Sequence, residues 1–119
     1  MEEIKRDKKK EMQEWAKADR KRFPNKYRNM DLIRNFGITL TQYNDLLEKQ
    51  NGVCCICGNP EVTRLNHSEI VRNLAVDHCH TTGKVRGLLC TACNQGLGNF
   101  RDNPDYLAKA ISYVVNNGP

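Results

Sequence analysis

Leu74-Ala75-Val76-Asp77-His78-Cys79-His80-Thr81-Thr82-Gly83-Lys84-Val85-Arg86-Gly87-Leu88-Leu89-Cys90-Thr91-Ala92-Cys93-Asn94 decides how this chain folds. Leu74-Ala75-Val76 reads as a strand leading into Asp77-His78-Cys79-His80. Thr81-Thr82-Gly83-Lys84 carries turn residues, and Val85 to Leu89 reads as the returning strand. From Cys90 to about Phe100 a short helix is expected. The stretch therefore predicts a strand, a turn, a strand and a helix, with Asp, His, Cys and Asn placed along it.

Working outward, Cys90-x-x-Cys93 has an upstream counterpart in Cys54-x-x-Cys57, with 32 residues between the two pairs. A knuckle turn brings residues i and i+3 together, so two such pairs can surround one ion. Four thiolates at about 2.3 Å make a closed tetrahedral zinc site with no position left for a substrate. The expected role of Zn²⁺ is therefore structural, its binding energy serving as folding energy. A redox Cys-x-x-Cys needs one pair in a thioredoxin-like setting that this chain lacks. Cys55 and Cys79 remain, and are expected to be small buried hydrophobes.

His78 and His80 stand beside Asp77 and are two of the three histidines in the chain. On an extended strand they would share one face, with Cys79 on the other. Asn94 follows the second cysteine pair directly, so the knuckle fixes its position. Phosphodiester hydrolysis needs an activated water and a cation to offset charge on the phosphate. Histidine is suited to be the general base, and Asp77 and Asn94 offer hard oxygen ligands for Mg²⁺ or Mn²⁺. A second zinc site, or plain surface histidines, would account for Asp-His-Cys-His taken alone.

These residues, with Gln50-Asn51-Gly52-x-Cys54-x-x-Cys57 before them and Asp105-Tyr106-Leu107 after, resemble the phage recombination endonuclease VII family, which belongs to the His-Asn-His, or ββα-metal, nucleases. The resemblance runs from near Tyr43 over two thirds of the chain. It implies an α+β, mostly helical protein whose ββα-metal core is stapled by four cysteines. Asp77 and Asn94 would carry the catalytic Mg²⁺, His78 would activate water, and His80 would contact the scissile phosphate. Arg86 and Lys84 would hold the DNA backbone, unless they are ordinary strand and turn surface. One departure is Leu97, where the family's resolvase has an acidic residue. A homodimer is compatible with the resemblance, and no small-molecule cofactor is called for.

Upstream, residues 1–34 hold twelve Lys or Arg against seven Asp or Glu, whereas the rest of the chain is balanced, so the whole net charge of +5 lies in the N-terminal third. Lys8, Lys9, Lys10, Arg20, Lys21 and Arg22 form a basic arm suited to a polyanion, most often nucleic acid. A solvated helix of mixed charge is the alternative. Trp15 and Tyr27 either stack on bases or pack their own helices. The arm is assigned to residues 1–36 and the nuclease domain to residues 37–119.

Helix formers run to Arg22, and Phe23-Pro24 breaks them. A second helix is expected from Tyr27 to Phe36, stopped by Gly37. A third, Gln42–Gln50, is expected behind Thr41 as its cap and ahead of Asn51-Gly52. Residues 59–73, with His67, read as a polar loop. Asn103-Pro104 starts a last helix, whose Leu107, Ala110, Ile111, Val114 and Val115 should face the core.

A mean hydropathy of −0.71 and 119 residues allow one domain with a core small enough to need a staple. No stretch reaches membrane-span length and no apolar leader opens the chain. The expected location is thus the cytoplasm, the host's if the gene belongs to a phage, where thiols stay reduced. The rival to a DNA endonuclease is a zinc-stabilised DNA-binding module without chemistry.

Overall fold

The computed structural model describes residues 2–118. It is α+β and mostly helical, with five helices and one two-stranded sheet: α1 (Glu2–Arg22), α2 (Pro24–Phe36), α3 (Leu40–Lys49), β1 (Ala75–His78), β2 (Val85–Leu89), α4 (Thr91–Asn99) and α5 (Pro104–Asn117). Two compact units divide inside α3, one up to Asp45 and one from Leu46 onward. No helix among the described residues is long and apolar enough to cross a membrane.

In the first unit α1 buries nothing, while α2 and α3 bury Leu32 and Tyr43. Helix α2 starts three residues earlier than its apolar pattern suggests, because Pro24 is tolerated in the first turn, where its missing N–H costs nothing. Gly37 ends it in the left-handed conformation, φ 70°, donating to the Ile33 carbonyl. The cap of α3 is Thr39, not Thr41. Thr39 Oγ1 accepts from the Gln42 N–H at 3.1 Å and Gln42 Oε1 accepts from the Thr39 N–H at 2.8 Å. This reciprocal capping box was present in the sequence as Thr-x-x-Gln.

The second unit is built on the hairpin. Ala75 pairs with Leu89, Val76 with Leu88 and Asp77 with Gly87. The core is Leu74, Val76, Leu88 and Leu89 with the sulfurs of Cys54 and Cys90, and Leu88 is fully enclosed. The register then slips, so that His78 faces Val85 and Arg86 is left as an extra residue, the arrangement of a β-bulge.

Gln50, at the end of α3, clamps β2. Its amide nitrogen donates to the carbonyls of Val53 and Leu88, at 3.0 and 2.9 Å, and its oxygen accepts from the Leu88 N–H at 2.9 Å. A side chain at Gly87 would press on this clamp, its Cβ lying 3.4 Å from Gln50 Oε1. Residues 59–73 form the expected polar excursion, drawn together by one bridge between Arg64 and Val71.

The expectation for α5 is only half met. Asn103 caps it through bonds from the N–H groups of Asp105 and Tyr106. However, the helix buries no residue, and Ile111, Val114 and Val115 are largely exposed. Amphipathic spacing states that a face is apolar and not what covers it.

Candidate functional site

Two clusters lie in the second unit. In the first, Cys54, Cys57, Cys90 and Cys93 bring their sulfurs within 4.8 Å of one another. Cys54 and Cys57 sit in the loop after α3, while Cys90 caps α4 and Cys93 lies in its first turn. Backbone N–H groups of Ile56, Asn59 and Cys93 point at Cys54, Cys57 and Cys90, each at 3.4 Å. Burial pushes the Cys54 thiol up, but N–H groups around it outweigh burial and bring it below the ordinary thiol value. Cys93 is held above that value by burial and by its sulfur neighbours. Four thiolates this close repel one another unless a cation neutralises them.

The donor set fits a metal ion. Tetrahedral bonds of about 2.3 Å imply sulfurs about 3.8 Å apart, and Cys57 and Cys90 stand 3.8 Å apart. The four cysteines could therefore hold a structural metal such as zinc. Cys55 and Cys79 are not the buried hydrophobes expected: Cys55 is exposed and Cys79 half-buried. Cys55 instead donates its N–H to the Leu88 carbonyl at 3.1 Å, tying the knuckle to β2. Cys79 lies in the turn, its thiol lowered to about 7 by bonds from Thr82 and Thr81.

The second cluster gathers at the other end of the hairpin. Strand pairing ends at His78, and the Cys79 N–H still reaches the Lys84 carbonyl at 2.8 Å before the chain turns. His80 thus belongs to the turn and not to an extended strand. Its ring nevertheless lies beside that of His78, with centroids 5.0 Å apart and planes inclined by 59°. Asp77 is the one buried charged residue among those described. Arg86 grips it through Nε at 2.7 Å and Nη2 at 3.0 Å. The far edge of the same guanidinium holds Asp102, through Nη1 and Nη2, both at 3.0 Å.

Asp102 was not foreseen, since it lies 16 residues from Arg86 and carries no local signal. Glu61 was also missed. It accepts from the N–H and hydroxyl of Thr91, at 2.6 and 2.9 Å, and so anchors the start of α4. Asn94 is exposed on α4, the helix packed against β1. Lys84 is exposed where the turn ends.

The arm residues Lys8, Lys9, Lys10, Arg20, Lys21 and Arg22 are all exposed on α1, in the first unit. Trp15 is also exposed, whereas Tyr27 hydrogen-bonds Asp19 and lies under Arg20, 4.9 Å from its ring. Tyr27 thus packs its own helices. His67 is exposed in the polar excursion, at φ 60°.

A family model described as recombination endonuclease VII matches residues 29–116, which takes in the hairpin, all four clustered cysteines, both neighbouring histidines and Asn94. The chain belongs to the recombination endonuclease VII family. Two curated relatives carry the name Gene 59 protein. That of Mycobacterium phage L5 is 42% identical over 86 residues, which is 71% of this chain and 48% of the relative. That of Mycobacterium phage D29 is 42% identical over 84 residues, 70% of this chain and 47% of the relative. The chain thus spans about half the length of the curated relatives it matches. No solved structure matches it.

Proposed function

We propose that the chain is a DNA endonuclease of the His-Asn-His type, with a ββα-metal core stapled by a zinc on Cys54, Cys57, Cys90 and Cys93. The observation that carries this reading is the pairing of a closed four-cysteine cluster with Asp77, His78 and His80 at the opposite end of one hairpin. A module that only binds DNA needs the first cluster and not the second.

The donor chemistry of the second cluster fits a hard divalent cation. Asp77 has further lone pairs on the oxygens that Arg86 touches, and Asn94 presents an amide from the helix packed on β1. These two would hold Mg²⁺ or Mn²⁺, which would offset charge on the phosphate and the leaving oxygen. His78 would take a proton from the attacking water, and His80, in the turn beside it, would contact the phosphate. The bulge fixes the direction of His78 relative to Asp77. Lys84 and the cations of α1 supply phosphate contacts, which add affinity without reading sequence. We assign residues 1–36 to this basic arm and residues 37–119 to the nuclease domain, acting on DNA in a phage-infected host's cytoplasm. Homodimerisation belongs to the reading only if paired cuts are found.

The test is relaxation of supercoiled plasmid by wild type and His78→Ala, each zinc-loaded, with Mg²⁺, Mn²⁺ or EDTA. Cation-dependent nicking should fall by about 10²–10⁴-fold in His78→Ala while its melting is unchanged. A wild type that retards DNA but cuts no plasmid, junction or single strand with either ion would leave the DNA-binding module as the function.

A further inference from the structure

Arg86 is the only described side chain bonded by both its edges to two carboxylates, and the backbone is arranged at each end to permit it. On one side the bulge frees Arg86 from pairing. On the other, α4 closes with the Asp102 N–H on the Leu97 carbonyl and the Arg101 N–H on that of Gly98, at 2.8 and 2.9 Å. This is the Schellman pattern, which ordinarily places glycine at the left-handed residue. Here that residue is Arg101, at φ 58°, and Asp102 follows at φ 53°. Two consecutive left-handed residues with side chains are costly, and the turn they make delivers the Asp102 carboxylate to Arg86.

Asp102 is not needed to neutralise Asp77. One guanidinium already gives Asp77 two charge-assisted bonds, and a second carboxylate leaves the trio with a net negative charge. What Asp102 adds is a second seat for the same cation. A divalent ion arriving at Asp77 would meet Arg86 in front of it, and like charges at that range repel strongly. With Asp102 alongside, Arg86 can yield Asp77 without leaving a carboxylate. His80 also lies close enough to help hold the Asp102 carboxyl ionised, after Arg86 itself.

We propose that Arg86 is a built-in counter-ion that guards Asp77 in the cation-free site, and that Asp102 is the berth to which it withdraws when a divalent cation binds. This rests on the assignment of Asp77 as a cation ligand. Asp102 is on this account a positioning residue, acting through Arg86.

The test measures Mn²⁺ affinity directly, by the paramagnetic resonance of free Mn²⁺, on the zinc-loaded full chain without DNA. Asp102→Asn removes the charge and keeps the turn, because asparagine accepts the left-handed conformation as aspartate does. It should weaken Mn²⁺ about tenfold, a usual size for coupling inside one ionic network. In an Arg86→Gln background the same change should move affinity by about twofold or less. If Arg86→Gln does not fold, Arg86→Lys replaces it, since a lysine cannot span both carboxylates with a planar fork. The Asp102→Asn effect should then be about threefold or less.

Equal weakening by Asp102→Asn in both backgrounds, or none in either, overturns the proposal. Asp77→Asn separates the two layers of the argument. If it leaves Mn²⁺ affinity unchanged, the cation-ligand assignment falls and this inference with it. If it abolishes binding while the Asp102–Arg86 cycle shows no coupling, only the inference falls.

Discussion

The two units hold themselves together over different distances along the chain. Up to Asp45 the side-chain bonds link near neighbours: Lys26 and Tyr27 to Asp19, Arg34 to Asp31, Asn29 to Leu40. From Leu46 onward the decisive bonds span 30 residues or more, from Gln50 to Leu88, from Glu61 to Thr91 and from Cys57 to Cys90. The first unit is helix stabilised locally. The second has a very small apolar core and is closed by clamps between distant segments. The candidate catalytic cluster lies in the second, where Asp77 is held by Arg86 and Arg86 in turn by Asp102.

The contrast is broken most forcefully by removing the metal proposed for the four cysteines. Chelation, or Cys93→Ser, should collapse amide dispersion in residues 46–118, a loss on the order of 10 kcal/mol. Helical circular dichroism from α1 and α2 should persist. Retained dispersion in the second unit would show that the cysteines are not what closes it. Leu88→Ala comes next, at about 2–5 kcal/mol, because Leu88 is the one fully enclosed side chain among the described residues. Its melting should shift in the second unit alone.

Gln50→Ala removes the Gln50 oxygen that accepts from the Leu88 N–H, while the Leu88 carbonyl keeps the Cys55 N–H, and should cost about 1–3 kcal/mol, with faster exchange of the Leu88 amide as the readout. Glu61→Gln should cost less, about 1 kcal/mol. Burial raises the Glu61 carboxyl, but bonds from Thr63 and Thr91 outweigh it and hold it at about 2, against an ordinary 4.5. A depressed carboxyl stabilises the fold above the unfolded value. The contribution is lost as pH falls from about 4.5 towards about 2, and Glu61→Gln should flatten that part of an acid melt. The smallest effect belongs to the first unit: Tyr27→Phe removes its bond to Asp19 and should barely move the melt. A large shift there would mean that α1 and α2 depend on each other more than their exposure suggests.

What could be read in advance follows the same division. Hairpin, cysteine cluster and the start of α5 were legible because turn residues, Cys-x-x-Cys spacing and Asn-Pro announce themselves within a few positions. The Thr39 cap is encoded just as locally, by Gln42 three residues on, although Thr41 lies nearer the apolar stripe. Arg86–Asp102, Glu61–Thr91 and the Gln50 clamp were not legible, since no periodicity links residues 16 to 38 apart. The outward apolar side of α5 was misjudged for a related reason: spacing describes one helix, and burial needs two partners.

The cysteine pairs also set a schedule. A ribosome adding about 5–20 residues per second makes Cys57 a few seconds before Cys90 and Cys93, so the nascent chain holds half of the four-cysteine cluster while the hairpin emerges between the halves. The residue after the last thiol is Asn94. On the proposed function, capture of a metal and presentation of that amide would therefore coincide, and a chain still awaiting its metal would carry no finished site.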